Sequence, residues 1–150
     1  MQHDSTLWYG TTTEKILGWR SLREQARDLT LEEIIELVNT WWTYTPWVRK
    51  SIDPYHPETW PSPWTMINKG EFCRSSIALG QAYTLWLCAP TNLTELWLIN
   101  NFSEREIHLV VVIDEKIILN YTLGLVLKLE ECNFELLNKI TRSDLNHIKI

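Results

Sequence analysis

The chain has 150 residues, a formal net charge of -5 and no cluster of lysines and arginines. This length is sufficient for one domain with its own hydrophobic core, so we expect a single domain over residues 1–150. An acidic chain without a basic patch argues against nucleic acid as the main partner. The lack of a basic amphipathic helix argues against binding to a membrane surface.

The longest strongly apolar run, residues 109–113, is far too short to cross a bilayer. The first residues show no basic region followed by an apolar stretch, so no secretory signal is expected. The cysteines, Cys73, Cys88 and Cys132, are odd in number and form no CxxC pair, which argues against a disulfide framework and against a zinc site. We therefore expect a reducing compartment, no metal and no other cofactor.

Tryptophan is unusually frequent, with nine copies, five of which lie between positions 41 and 64. Large rigid aromatic rings anchor both protein cores and protein interfaces. Two interpretations are therefore open. The rings either form a tryptophan-rich core that holds irregular chain in place, or they form a protein-binding face with the candidate residues Trp47, Tyr55, Trp60 and Trp64.

The N-terminal arm, residues 1–29, contains a short helical pattern near residues 14–27. Thr30 and Glu33 then have the spacing of a capping box, and apolar side chains at helical spacing behind them predict an amphipathic helix over 31–43. Residues 44–71, here called the strap, carry prolines among aromatic rings. Since proline at this density excludes helix interiors and central strands, we expect an ordered strap of irregular backbone.

The C-terminal part, residues 72–150, begins with a second helical pattern over 72–87. Ser76 and Gly80 are small enough to let this helix lie close to a sheet. Strand patterns follow at 95–99, 107–113, 116–121 and 123–129, and residues 134–150 are ambiguous. Helices followed by strands indicate an α+β domain, with the N-terminal helices and the strap packed on a small antiparallel sheet.

Three polar residues stand in the order that a thiol-dependent site requires. Cys73 opens the second predicted helix, where backbone N–H groups and the helix dipole favour the thiolate. His108 lies in an apolar strand, and Asn120 lies near the end of the next strand. Structural roles are the more common ones for both residue types, because free cysteine is often a small buried hydrophobe and a lone strand histidine is more often a core residue than a base.

The turn between the two strands decides whether His108 and Asn120 can meet. A two-residue loop would put their side chains on opposite faces of the sheet. A loop of odd length pairs position 113 with 117 and makes His108 and Asn120 diagonal neighbours on one face. The turn has no Asn-Gly or Asp-Gly signature, so we predict the odd loop. Asp114 is the alternative orienting group.

A cysteine at a helix start, a histidine in a strand and a following strand ending Leu119-Asn120-Tyr121 resemble the papain-like superfamily. The nearest form is that of bacterial transglutaminase-like and NlpC/P60-type cysteine peptidases, and the similarity covers roughly residues 70–122. The chain departs from this pattern at two places. Phe72 and Arg74 flank Cys73 where a Gly-Asp-Cys turn is usual, and the third position is Asn instead of Asp.

The resemblance implies a papain-like core with Cys73 as nucleophile, His108 as base and Asn120 as the orienting group. The strap also resembles small uncharacterised proteins of tailed bacteriophages, which implies a virion or the host cytoplasm as the setting. The first expected function is a structural or docking protein of the virion or its assembly, which binds other virion proteins and keeps a vestigial Cys-His-Asn set. The alternative is an active cysteine peptidase, amidase or acyltransferase, and the sequence does not decide whether the chain is an enzyme.

Overall fold

The computed structural model describes residues 5–90 and 93–150, in which helices precede a five-stranded sheet. The helices are α1 (Thr12–Gln25), α2 (Leu31–Thr43), α3 (Pro63–Lys69) and α4 (Arg74–Cys88). The strands are β1 (Thr94–Asn101), β2 (Glu106–Ile113), β3 (Ile117–Leu119), β4 (Val126–Lys128) and β5 (Phe134–Ile140). None of the helices in these two ranges is long and apolar enough to cross a membrane.

All five strands pair antiparallel in the order β4-β3-β2-β1-β5. Side chains alternate between the two faces of the sheet. On β2, Leu109, Val111 and Ile113 belong to the large core that the sheet shares with the helices. Val110 and Val112 belong to a smaller core on the opposite face. This arrangement confirms the predicted α+β class with a small antiparallel sheet.

The amphipathic helix α2 begins and ends where the sequence predicts. Thr30 Oγ1 accepts a hydrogen bond from the Glu33 backbone N–H at 3.3 Å, and the Glu33 carboxylate accepts one from the Thr30 N–H at 3.1 Å. This reciprocal capping box satisfies two backbone donors that the helix itself leaves unpaired. The apolar side of α2 packs against α4.

Helix α4 is the central element, and its residues are buried on almost every side. A Cβ added to Gly80 would lie only 2.4 Å from the Trp42 ring. Gly80 therefore lets α4 approach α2, whereas the sequence suggested an approach to the sheet. The Thr84 hydroxyl accepts hydrogen bonds from both the Trp42 and the Trp19 indole N–H, at 2.9 and 3.0 Å.

The strap was predicted to have largely irregular backbone, with its prolines excluding a helix interior, and α3 is the part that departs from this. Ser62 caps this helix by accepting a hydrogen bond from the Thr65 N–H at 3.2 Å, and Gly70 ends it in the left-handed conformation at φ 67°. Pro63 occupies the first turn, where a missing N–H breaks no helical bond and the fixed φ suits a helix. Pro63, one of the prolines that argued against a helix in this segment, is the first residue of α3.

Most of the tryptophans serve the core. Six of the nine are buried, namely Trp8, Trp19, Trp42, Trp60, Trp86 and Trp97. Trp8 makes edge contacts with Trp41 and Phe72, at ring-centroid distances of 4.8 and 5.0 Å. Rings in such geometry contribute beyond the area that they bury. They attach the N-terminal arm and the strap to the helical side of the sheet.

Candidate functional site

Cys73 is the N-cap of α4, as predicted. The residue before it, Phe72, is fully buried and joins the strap through two backbone hydrogen bonds, from Phe72 N–H to Pro46 O and from Val48 N–H to Phe72 O. The Cys73 N–H donates to Ser76 Oγ at 2.8 Å. The strap and the first turn of α4 together therefore fix the position of the sulfur.

The Cys73 thiol lies among hydrogen-bond donors. Ser51 Oγ lies 3.3 Å from Cys73 Sγ and 2.7 Å from Ser76 Oγ, so its proton can be donated to either atom. Burial alone would raise the pKa of the thiol. The Ser51 hydroxyl and the backbone N–H groups of Ser51, Ser76 and Ile52 outweigh burial and lower the pKa to about 7. A substantial fraction of Cys73 is therefore thiolate at neutral pH.

Cys73 lines an open groove of about 320 Å³, although only 6% of its surface is exposed. The groove is lined by Arg49, Lys50, Ile52, Pro54, Cys73, Arg74, Ser75, Glu106 and Ile107. Arg49 and Lys50 form an exposed basic wall on the strap. His108 is not among the lining residues.

His108 lies on the opposite side of the sheet from α4. Its cross-strand partner is Ile99, and Ile99 packs with Val110 and Val112 in the smaller core. Since side chains alternate along a strand, the His108 ring points away from the helix that carries Cys73. The predicted meeting of Cys73 and His108 is therefore not found, because the face of β2 that meets α4 is the one that carries the odd-numbered residues.

Hydrogen bonds occupy both nitrogens of the His108 ring. The Asn101 amide nitrogen donates to the Tyr121 carbonyl at 2.9 Å and lies 3.2 Å from His108 Nε2, which must therefore be the acceptor. His108 Nδ1 lies 2.9 Å from the Leu109 carbonyl, so this nitrogen carries the proton. Burial and the Arg74 charge lower the pKa of His108 to about 4. The neutral ring is thus locked and has no free lone pair for a thiol proton.

Asn120 is directed at the start of α4 instead of at His108. Its backbone takes the left-handed conformation at φ 70°, so β3 ends before it and the strand alternation no longer governs its side chain. The Asn120 amide nitrogen donates to the Arg74 carbonyl at 2.8 Å and to the Leu109 carbonyl at 2.9 Å. The predicted odd loop is confirmed, since Ile113 pairs with Ile117, but the predicted diagonal contact with His108 is wrong.

Arg74 connects the helix start to the sheet. Its guanidinium forms an ion pair with Glu104 at 2.6 Å and donates to the Asn120 side chain at 3.1 Å and to the Tyr121 carbonyl at 2.7 Å. The side chain is only 10% exposed, and these acceptors satisfy its donors. Asn120 therefore orients Arg74 and the first turn of α4, and acts on Cys73 only through that turn.

Sequence reasoning missed three residues of this region, Ser51, Arg74 and Asn101. Arg74 had a usable signal, because it directly follows the candidate cysteine. Ser51 is 22 positions away from Cys73 in a segment without regular structure, so only the folded strap reveals it. Asn101 is the last residue of β1, and nothing in its local pattern announces the contact with His108.

The four aromatic residues proposed for partner binding have different environments. Trp47 and Tyr55 are exposed, at 52% and 56%, and Trp64 is exposed at 36%. Trp60 is only 3% exposed, and its indole N–H donates to the Asp53 carbonyl at 2.7 Å. Trp60 therefore stabilises the strap from within, and its inclusion in a partner-binding face is corrected.

No protein-family model matches the chain, and no curated protein matches it. Solved structures of Legionella pneumophila LapG are similar to it. The calcium-bound form has a TM-score of 0.76 and 17% identity, over 89% of this chain and 77% of that chain. LapG and its EGTA-treated form have a TM-score of 0.76 and 16% identity, over 89% of this chain and 77% and 75% of theirs.

One of these neighbours is described as calcium-bound, which raises the question of a metal site in this chain. Within residues 5–90 and 93–150, no three His, Cys, Asp or Glu side chains are grouped so that they could hold a metal ion. We derive no chemical step through calcium. The resemblance of the strap to phage proteins has no support among these neighbours. The similarity shows the fold alone, an α+β fold with a papain-like core as the sequence predicted.

Proposed function

We propose that this chain is a protein-docking module on a papain-like scaffold, in which Cys73, His108 and Asn120 do not work as a catalytic triad. The observation that carries this proposal is the position of His108, on the sheet face away from α4 with both ring nitrogens bonded. A thiol enzyme of this class needs a base that can take and return the thiol proton. A virion or its assembly is part of this proposal as the setting, on the sequence resemblance of the strap to phage proteins alone.

The surface proposed for docking combines the exposed strap aromatics with the basic wall of the groove. Trp47 and Tyr55 present large rings to solvent, and Arg49 and Lys50 lie between them in the chain. Exposed aromatic rings and arginine are the residue types that dominate protein interfaces. The partner expected from this combination is a protein segment with apolar and acidic side chains.

The deciding experiment measures the alkylation of Cys73 by iodoacetamide across pH 5–9, in the wild type and in His108→Gln. If the alkylation of Cys73 does not depend on His108, the wild type and the variant should show the same apparent pKa and the same rate. A shift of the profile, or a rate about tenfold lower in the variant, would mean that the imidazole activates the thiol and would overturn the proposal. Cys88→Ser and Cys132→Ser are present in both proteins, so that the label reports on Cys73.

A second function, acyl transfer by Cys73, is favoured by one observation, the thiol pKa of about 7 beside an open groove. In this reaction the preformed thiolate attacks an acyl carbonyl, the C–S bond forms, and the leaving group departs with its electron pair. An activated ester such as p-nitrophenyl acetate needs no general acid for its leaving phenolate. Mass spectrometry would then find acetyl-Cys73, and continued release of p-nitrophenol beyond one equivalent would establish turnover. A single equivalent without turnover supports the docking function.

A further inference from the structure

Three arginines form a basic stripe on the first helical segment. Arg20 and Arg23 lie in α1, and Arg27 follows in the 3-10 turn Ala26–Asp28, so spacings of three and four residues place them on one side. Together with Glu24, Leu87 and Cys88 they line a pocket of about 360 Å³ between this segment and the end of α4. The sequence was interpreted as having no cluster of basic residues, and the helical spacing corrects this by bringing these three arginines together in a chain whose net charge is -5.

The guanidinium of Arg23 is held in place by aromatic rings. Its central carbon lies 4.4 Å from the Trp19 ring centroid and 5.7 Å from that of Trp64. Its Nε is buried and has no hydrogen-bond partner among the described residues. A buried donor without an acceptor costs free energy, so a bound acceptor at this position would recover a favourable interaction.

No carboxylate of the described residues forms an ion pair with the arginines of this stripe. Within the described ranges, the cations that form ion pairs are His56, Arg74 and Lys139, and Glu24 pairs with none of the three pocket arginines. Arginine near the end of a helix can also complement the helix dipole. Arg142 does this for α4 by donating to the Trp86 carbonyl at 3.3 Å, whereas the three pocket arginines make no such bond to another described residue.

We infer that this pocket binds an oxyanion of the phosphate type, either a free ion or a small phosphomonoester. Three guanidinium groups against one carboxylate leave a local excess of positive charge, and their planar forks match the oxygens of a phosphoryl group. Leu87 and the Cys88 thiol provide an apolar side for an organic substituent. Burial, opposed by the Arg23 charge, raises the pKa of Cys88 to about 11, so the thiol stays neutral and does not repel an anion.

Isothermal titration of the full chain with inorganic phosphate tests this inference, with sodium chloride at matched ionic strength as the reference. Wild type should bind phosphate saturably, and Arg20→Gln and Arg27→Gln should each weaken binding about tenfold, since each removes one charge-assisted hydrogen bond. Arg105→Gln, at an exposed arginine outside this pocket, is the matched control and should leave the affinity unchanged.

The inference would be overturned if sodium chloride gave the same binding signal as phosphate. It would also be overturned if Arg20→Gln and Arg27→Gln bound phosphate as tightly as the wild type. Both of these arginines are exposed, so their variants keep the fold, whereas Arg23→Gln also loses the stacking on Trp19. Titration with glycerol phosphate separates the two sources of the anion. Tighter binding than that of inorganic phosphate identifies an organic phosphate as the ligand, and equal binding identifies the free ion.

Discussion

Ser51 Oγ lies 3.3 Å from Cys73 Sγ, although 22 positions separate the two residues in the chain. This hydroxyl is the side-chain donor that lowers the thiol pKa to about 7 against the effect of burial. In Ser51→Ala the thiolate loses that donor while burial remains, so the Cys73 pKa should rise. The thiolate fraction at pH 7 should fall from about half to roughly a tenth or less, and alkylation should slow about fivefold. The pH dependence of iodoacetamide labelling measures this change.

Ser21→Ala provides the control for this prediction, because Ser21 is an exposed serine in α1. Its labelling profile should coincide with that of the wild type. A profile for Ser51→Ala that also coincides would show that the backbone N–H groups at the start of α4 alone hold the thiol pKa down.

The buried neutral state of His108 predicts a loss of stability in acid. The pKa of His108 is lowered from 6.5 to about 4 by burial and by the Arg74 charge, against the opposing effects of the Leu109 carbonyl and Glu104. The unfolded chain therefore binds a proton more readily than the folded chain between these two pH values. The stability contributed by this group is complete above pH 6.5 and falls as the pH decreases toward 4, by about 3 kcal/mol in total.

Urea unfolding at pH 7 and at pH 4.5 measures this loss. His108→Gln removes the titrating group, so the difference between the two unfolding free energies should shrink, whatever the variant's absolute stability. His147→Gln is the matched control, because His147 is exposed and forms no ion pair with another described residue, and it should keep the wild-type difference. An equal pH dependence in His108→Gln and wild type would refute the assigned protonation state.

Local signals were sufficient for several parts of the fold. The capping box of Thr30 and Glu33 fixed the start of α2, and the absence of a tight-turn signature gave the correct register of Ile113 with Ile117. Such features depend on residues close together in the chain, whose geometry is set by backbone sterics and hydrogen bonds. The α+β class followed from the order of helical and strand patterns along the chain.

The sequence could not predict which side chains of β2 lie on the sheet face that meets α4. Residues 109–113 of β2 are all apolar and all buried, so the alternation that would show which face meets α4 is missing. His108 was therefore assigned to the wrong side. The direction of the Asn120 side chain depends on the positive φ of its backbone, and the position of Ser51 beside Cys73 depends on the path of the strap. Neither feature leaves a periodic signal in the sequence.

Close packing of α4 on α2 predicts that Gly80→Ala is destabilising. The added methyl would lie 2.4 Å from the ring of Trp42, which is fully buried and hydrogen-bonded to Thr84 and so cannot move aside. The gain in helix propensity is about 1 kcal/mol, and the steric cost should exceed it, for a net loss of roughly 1–3 kcal/mol. Gly18→Ala in α1 meets only the flexible end of the Leu7 side chain and should be nearly neutral in the same urea titration.

Replacement by alanine should lower the free energy of unfolding much more for the buried aromatic residues of the strap than for the exposed ones. Trp60 is 3% exposed and its indole N–H donates to the Asp53 carbonyl, so Trp60→Ala should lower the free energy of unfolding by about 3–5 kcal/mol. Trp47 is 52% exposed, so Trp47→Ala should cost about 1 kcal/mol or less.

Urea unfolding of the two variants decides whether the strap has this division. Equal losses would mean that Trp47 also packs into the core in solution, and the proposed docking surface would lose its main aromatic residue. If the losses differ as expected, Trp47→Ala becomes the variant of choice for binding experiments. A weaker partner complex could then be attributed to the missing indole at the surface, because the fold that presents it is intact.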